Sequence, residues 1–209
     1  MNSSYNSEKI ISEMCKILAR TGALKFGTFS LSGGRLSPYY IDLRIIPSFP
    51  EVFRRVTNFY VDIVLNDIGP DRITRIAGIP TAGISLASVL AYSLKKPFLY
   101  VRKEEKTYGR ERRVEGILNP GDRVLLVDDL ITTGGNLISA AKAILSEGGI
   151  VEDALVLIDR EEGGKKSLEE NGMNLHYLLK ISEVANILYR IEIITKQQMN
   201  DILKQVKKE

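Results

Sequence analysis

Cysteine and histidine are almost missing from this chain of 209 residues: Cys15 and His176 each stand alone. A single cysteine excludes an internal disulfide and thiolate metal clusters, and a single histidine removes His-rich metal sites and most Ser/His or Cys/His triads. Chemistry is left to Asp, Glu, Lys, Arg, Tyr and backbone groups. No apolar run approaches the ~18 residues of a membrane span, and the opening MNSSYNSEKI lacks the basic and apolar regions of a secretory signal. The sequence therefore predicts a cytoplasmic protein with no membrane contact. Walker A, GxGxxG and HExxH patterns are missing, as are repeats, low-complexity tracts and linkers. A net charge of +3 is too small to argue for nucleic acid, although local basic clusters suit phosphorylated small molecules.

What is present is an ordinary globular composition, 44% apolar and 26% charged, long enough for one domain spanning 1–209. Ile10, Ile11, Met14, Ile17 and Leu18 form a helical stripe that Gly22 stops. Ser48-Phe49-Pro50-Glu51 reads as a capping box opening a second helix, with Val52, Val56, Phe59, Tyr60 and Ile63 inward and Gly69-Pro70 beyond its end. The segment 24–44 between them predicts a hairpin. From residue 72, short apolar runs (RITRIAG, PFLYV, RVLLVDD, ALVLID) alternate with helical stretches, and NLHYLL followed by the capping box Thr195-Lys196-Gln197-Gln198 completes the chain. Such alternation implies an α/β fold: a doubly wound, mainly parallel sheet flanked by helices. The division expected is an N-terminal α+β subsection over 1–48, an α/β core over 49–190, and a C-terminal helix over 191–209.

The stretch 124-VLLVDDLITTGG-135 carries the chemistry. In open α/β sheets ligands lie beyond the carboxyl ends of strands, and Asp128 and Asp129 fall at such an end. Leu130, Ile131, Thr132, Thr133, Gly134, Gly135 and Asn136 then turn toward a helix. Threonine hydroxyls, unobstructed glycine amides and the positive end of the helix dipole make a phosphate cradle. The two carboxylates instead suit ligand hydroxyls or a divalent cation. A phosphate with neighbouring vicinal hydroxyls is a ribose 5-phosphate.

This string resembles the 5-phosphoribosyl 1-pyrophosphate (PRPP) signature of the type I phosphoribosyltransferases, and further motifs across residues 20–190 resemble the branch of that family that uses orotate. The resemblance implies that 101-VRKEEKTYG-109 belongs to a lid with Arg102, Lys103 and Lys106 near the pyrophosphate, partly across a homodimer interface, while Tyr108 stands where a His is common. Three cations there suit a leaving group whose negative charge grows. The lack of apolar periodicity through 103–116 predicts a mobile loop. The turn 78-GIPTAG-83 leads into a helix whose amides suit the pyrophosphate, but Ala77 occupies a position where a lysine is often found. The resemblance matches Lys25, Tyr39 and Tyr40 to the pyrimidine end, with Thr132 and Arg160 as orotate contacts; a guanidinium suits the orotate carboxylate. On residue type alone Tyr39 and Tyr40 read as core aromatics, Arg160 as a surface arginine paired with Glu161 or Glu162, and His176 as structural.

The implied activity is ribose 5-phosphate transfer from PRPP to orotate. Lys106, Asp128 and Asp129 would be catalytic, Mg²⁺ would be carried mainly by PRPP with no dedicated protein ligands, and nucleic acid would have no part. A purine or other-base salvage enzyme would share the PRPP loop but not Lys25, Tyr39-Tyr40 and Arg160. A PRPP-binding regulator without catalysis is opposed by the basic lid, and a phospho-receiver domain by TTGG and by the adjacency of Asp128 and Asp129, since a receiver scatters its acids over separate strands.

Overall fold

The computed structural model describes residues 3–30, 36–103 and 112–206. Helix α1 (Ser3–Arg20) precedes an antiparallel hairpin of β1 (Leu24–Ser30) and β2 (Leu36–Ile41), in which Lys25 lies opposite Tyr40 and Phe26 opposite Tyr39. A 3-10 turn over Leu43–Ser48 leads into α2 (Pro50–Ile63). The expected capping box is not formed: Phe49 is the N-cap, it makes no side-chain cap bond, and Pro50 opens the helix. Proline pre-sets the helical φ and has no N–H to cap, so the side-chain cap is dispensable.

The main sheet is built from β3 (Arg75–Gly78), β4 (Phe98–Val101), β5 (Val114–Glu115), β6 (Arg123–Val127), β7 (Leu130–Ile131), β8 (Ile150–Asp159) and β9 (Asn174–Lys180). Its order is β5-β4-β3-β6-β8-β7, with β9 also paired to β8. Every pairing is parallel except β4 with β5. Parallel strands need crossovers, and these are α3 (Ala82–Leu94), α4 (Gly135–Ser146) and α5 (Gly164–Glu170), with α6 (Ile181–Arg190) and α7 (Lys196–Val206) closing the described chain. Along β6 the side chains alternate between two cores. Leu125 and Val127 join the cluster beneath α1, α2, α3 and α6, while Val124 and Leu126 join the one beneath α4 and α5. Burial on both faces is what the unbroken apolar run RVLLV requires.

Two features of β7 and β5 depart from the expected pattern. Beyond Asp129 the chain does not turn directly into a helix: β6 pairs with residues 150–155 of β8, and β7 resumes the parallel pairing at 158–159. Asp128-Asp129 is thus an interruption within one strand line, held at Asp128 N–H to Leu155 O (3.1 Å) and at Leu157 N–H to Asp129 O (3.0 Å). Residues 114–115, expected within a loop, instead form an edge strand on β4, with Val114 buried. The capping box at Thr195 does form, with Gln198 N–H donating to Thr195 Oγ1 (3.2 Å) and Thr195 N–H to Gln198 Oε1 (2.8 Å).

Candidate active site

The end of β6 is fixed before any ligand arrives. Asp128 Oδ1 accepts from Asp129 N–H and Asp129 Oδ1 from Leu130 N–H, both at 2.9 Å. From α2, Tyr60 donates its buried hydroxyl to Asp128 O at 2.9 Å. Burial raises the Asp128 carboxyl well above the usual carboxylate range, with the neighbouring charge of Asp129 adding to it. Asp129 is also raised by burial, opposed by its hydrogen bonds and by the charge of Arg44.

Two glycines bring the flanking elements close. A Cβ on Gly83 would lie 2.5 Å from Val127 O and 2.9 Å from Asp128 Oδ1, so the first turn of α3 rests directly on the acidic strand end. A Cβ on Gly164 would lie 2.6 Å from Ile131 Cγ1 and would also strike Thr132 O, so the start of α5 seats against the Thr-Gly-Gly loop. Gly134 caps α4 at φ 83°, in the left-handed region that glycine reaches without strain.

The result is a cavity of about 290 Å³ walled by Asp128 to Leu137 on one side and by Arg44, Pro80, Thr81, Ala82 and Lys103 on the other. The amides of Thr133 to Asn136 sit at the N-terminus of α4 and those of Thr81 and Ala82 at the N-terminus of α3, both positive ends of helix dipoles. The cavity therefore offers two anion cradles with an acidic pair beside them. Of the residues expected from the sequence, it gathers Asp128, Asp129, Leu130, Ile131, Thr132, Thr133, Gly134, Gly135, Asn136 and Lys103. Arg102 lines a neighbouring cavity of about 120 Å³ and pairs with Glu115 at 3.5 Å. Its N–H donates to Arg113 O at 2.9 Å, so the two ends of the basic segment are joined. Lys106 and Tyr108 lie outside the described residues.

The expected pyrimidine-end set is arranged differently. Lys25 is exposed on β1, and neither it, Tyr39, Tyr40 nor Arg160 lines the main cavity. Arg160 is not a surface arginine: it is 7% exposed, with Nη2 2.7 Å from Glu162 Oε1, Nε donating to Tyr39 Oη at 3.1 Å, and Cζ 4.9 Å from the Tyr39 ring centre. This cluster ties β2 to the end of β8. Tyr40 Oη accepts from Arg44 at 2.9 Å, and its ring lies 5.7 Å from that of Phe29. Arg44 itself was not anticipated; an isolated arginine after a strand carries no sequence signal. His176 Nε2 lies 2.8 Å from Asp153 Oδ1 across the β8–β9 pairing, and neither residue lines the main cavity, in keeping with a structural role.

Comparison with known proteins decides the family. The phosphoribosyl transferase domain family matches residues 46–172. Orotate phosphoribosyltransferase from Cenarchaeum symbiosum is 44% identical over 90% of this chain and 92% of that one. The chain belongs to the orotate phosphoribosyltransferase family. The relative from Staphylothermus marinus is 42% identical over 92% of each chain. Among solved structures, the orotate phosphoribosyltransferase of Aeropyrum pernix superimposes with a TM-score of 0.76 at 33% identity, covering 87% of this chain and 99% of that one. The UMP synthase of Leishmania donovani gives 0.84 at 30% identity, over 95% of this chain and 42% of the longer one. No helix among the described residues is long and apolar enough to cross a membrane.

Proposed function

We infer that this protein transfers ribose 5-phosphate from PRPP to a ring nitrogen of orotate, giving orotidine 5′-phosphate and pyrophosphate in pyrimidine biosynthesis. The observation that carries the reading is the convergence of a phosphate loop, an acidic pair, a second helix N-terminus and Lys103 on one cavity, in a chain of this family. As the bond from C1′ to the pyrophosphate oxygen breaks, its electron pair leaves with the pyrophosphate and positive charge develops on the sugar. The orotate ring nitrogen then forms the N–C1′ bond, and its N–H proton passes to the released pyrophosphate or to solvent. Thr132 to Asn136 hold the 5′-phosphate. Asp128 and Asp129 accept from the ribose hydroxyls and favour the cationic sugar; a cationic sugar opposes the upward shift that burial imposes on them. Such a reaction needs little covalent chemistry from the protein, so positioning and electrostatics suffice.

One oxygen of each aspartate is already committed to a backbone N–H. No group of three or more His, Cys, Asp or Glu side chains suited to a metal occurs among the described residues. The other carboxylate oxygens remain available to ribose hydroxyls, and Mg²⁺ carried on the diphosphate of PRPP would supply neutralisation of the leaving-group charge.

The resemblance supports four further assignments. Lys25, Tyr39, Tyr40, Thr132 and Arg160 serve the orotate end; Arg102, Lys103, Lys106 and Tyr108 form the lid; the working unit is a cytoplasmic homodimer in which lid residues reach the partner's site; and residues 1–48 form the base-binding subsection beside the 49–190 core and the C-terminal helix of 191–209. Replacing Asp128 and Asp129 together by Asn should lower kcat/KM for PRPP by roughly 100-fold or more; wild-type kinetics in that double variant would remove this reading of the acidic pair. Lys106→Ala should cut turnover while leaving Tm nearly unchanged, and unaltered turnover would sink the lid assignment.

A further inference from the structure

We propose that Arg44 is an anion-binding residue of this site and that it holds the diphosphate of PRPP, an assignment that rests on the function inferred above. Arg44 and Lys103 are the two cationic side chains that line the main cavity among the described residues. Arg44 reaches it from the 3-10 turn after β2, on the side of the hairpin, whereas Lys103 comes from the end of β4.

The guanidinium is aimed in advance. Its Nε donates to Asp42 Oδ1 at 2.7 Å, and its Nη2 donates to Asp42 Oδ2 at 3.0 Å and to Tyr40 Oη at 2.9 Å. Asp42 Oδ1 also accepts from the Arg44 backbone N–H at 3.2 Å. One edge of the fork is therefore clamped, and the remaining terminal nitrogen, Nη1, has no partner among the described residues. The side chain is still 57% exposed. A guanidinium fixed along one edge and open along the other gives up little freedom when an anion arrives.

Charge balance selects the ligand. The 5′-phosphate has its own cradle at Thr132 to Asn136, so the groups left on the opposite wall are Pro80, Thr81, Ala82, Lys103 and Arg44. The strand leading to that turn brings no cation to the cavity: Arg75 at its start pairs with Asp122 at 2.9 Å, and Ala77, Gly78 and the following Ile79 are buried and uncharged. Beside the lid cations and Mg²⁺ carried on PRPP, a multiply charged diphosphate can use both cations of this cavity, Lys103 and Arg44, whereas a singly charged acceptor carboxylate needs one. Asp129 is raised by burial, and the charge of Arg44 is a small effect that opposes the rise, so Arg44 is felt at the acidic pair. Asp42 and Tyr40 act as positioning residues for it.

The test uses the full chain with Arg44→Gln and Arg44→Lys. Binding of inorganic pyrophosphate and of ribose 5-phosphate is measured by calorimetry with Mg²⁺ present, and KM for PRPP and for orotate is measured separately. Loss of charge-assisted hydrogen bonds should raise the pyrophosphate Kd and the PRPP KM of Arg44→Gln by about tenfold or more. Arg44→Lys, which keeps the charge but loses the fork, should fall between that variant and wild type. Ribose 5-phosphate binding and the orotate KM should stay within about twofold. The assignment is overturned by an unchanged pyrophosphate Kd, by a wild-type protein that fails to bind pyrophosphate, or by a rise in the orotate KM alone, which would move the contact to the acceptor carboxylate. Pyrophosphate binding needs no acceptor. A wild type that ignores orotate but binds pyrophosphate would therefore end the inferred function while leaving Arg44 to be judged on its own.

Discussion

Gly164→Ala is the smallest change that should damage the phosphate loop from outside it. Gly164 is buried at the first position of α5 and lies outside the cavity wall, yet a methyl group there would stand 2.6 Å from Ile131 Cγ1 and 2.7 Å from Ile131 Cδ1, besides striking Thr132 O. Ordinary contact begins near 3.4 Å, and clearing Thr132 O, the closest of these atoms, requires α5 and the loop to part by about 1 Å. A rotamer change of Ile131 cannot relieve the clash, because Thr132 O is backbone and Ile131 itself is 2% exposed. Overpacking of this kind costs about 1–3 kcal/mol, which for a chain of this size lowers Tm by about 2–12 °C. Displacement of a positioning loop by nearly 1 Å is expected to reduce kcat/KM for PRPP by about 100-fold. Calorimetric melting and an ultraviolet assay of orotate consumption measure the two effects. Gly135→Ala is the stability control: its methyl group would meet nothing nearer than 3.9 Å at an ordinary φ, so Tm should hold within about 2 °C. A Gly164→Ala protein with the melting point and PRPP kinetics of the wild type would refute the proposed seating of α5 on the loop.

Asp128→Asn should raise Tm at pH 7 while lowering turnover, since it removes a buried charge beside Asp129. Because the folded carboxyl titrates above its ordinary value of 3.8, the ionised pair weakens the fold as pH rises above that value, and melts below about pH 4 should show no gain; a variant less stable at pH 7 than the wild type would contradict this. Tyr60→Phe should cost about 1 kcal/mol by stranding the Asp128 carbonyl, and should lower kcat with it; unchanged melting would show the bond to be unimportant. His176→Ala should cost about 1 kcal/mol without altering kcat/KM. Burial would raise Asp153, but its hydrogen bonds from His176 and Asn174 prevail and hold it below the ordinary range. Its contribution is thus present above pH 4 and lost as pH falls through the depressed value, so the variant's acid-unfolding midpoint should move upward; an unmoved midpoint would count against the pair.

The alternation of RVLLV, ALVLID and NLHYLL with helical stretches made the parallel sheet legible, because strands buried on both faces leave apolar runs that no surface element shares. The acid pair and Thr-Gly-Gly loop were legible for a chemical reason: both need their residue types in that order. Other elements left weaker traces. β7 has two residues, too few for any period, and α5 opens on Gly163-Gly164, which reads as a turn. The buried set Ile181, Val184, Ala185 and Leu188 of α6 does follow helical spacing, but β9 runs into it at Lys180 with no glycine or proline between them to mark the change. Arg44 and Tyr60 acquire their places only through tertiary contacts, one at the cavity and one against Asp128 O, and residue type gives no warning of either.

The central claim is the pairing of PRPP with orotate, and the most direct measurement is the loss of orotate absorbance in the presence of PRPP and Mg²⁺, beside parallel reactions with hypoxanthine, adenine and uracil. The account predicts PRPP-dependent consumption of orotate, release of pyrophosphate, and no comparable turnover of the other three bases. Turnover of a purine or of uracil with orotate untouched would contradict it.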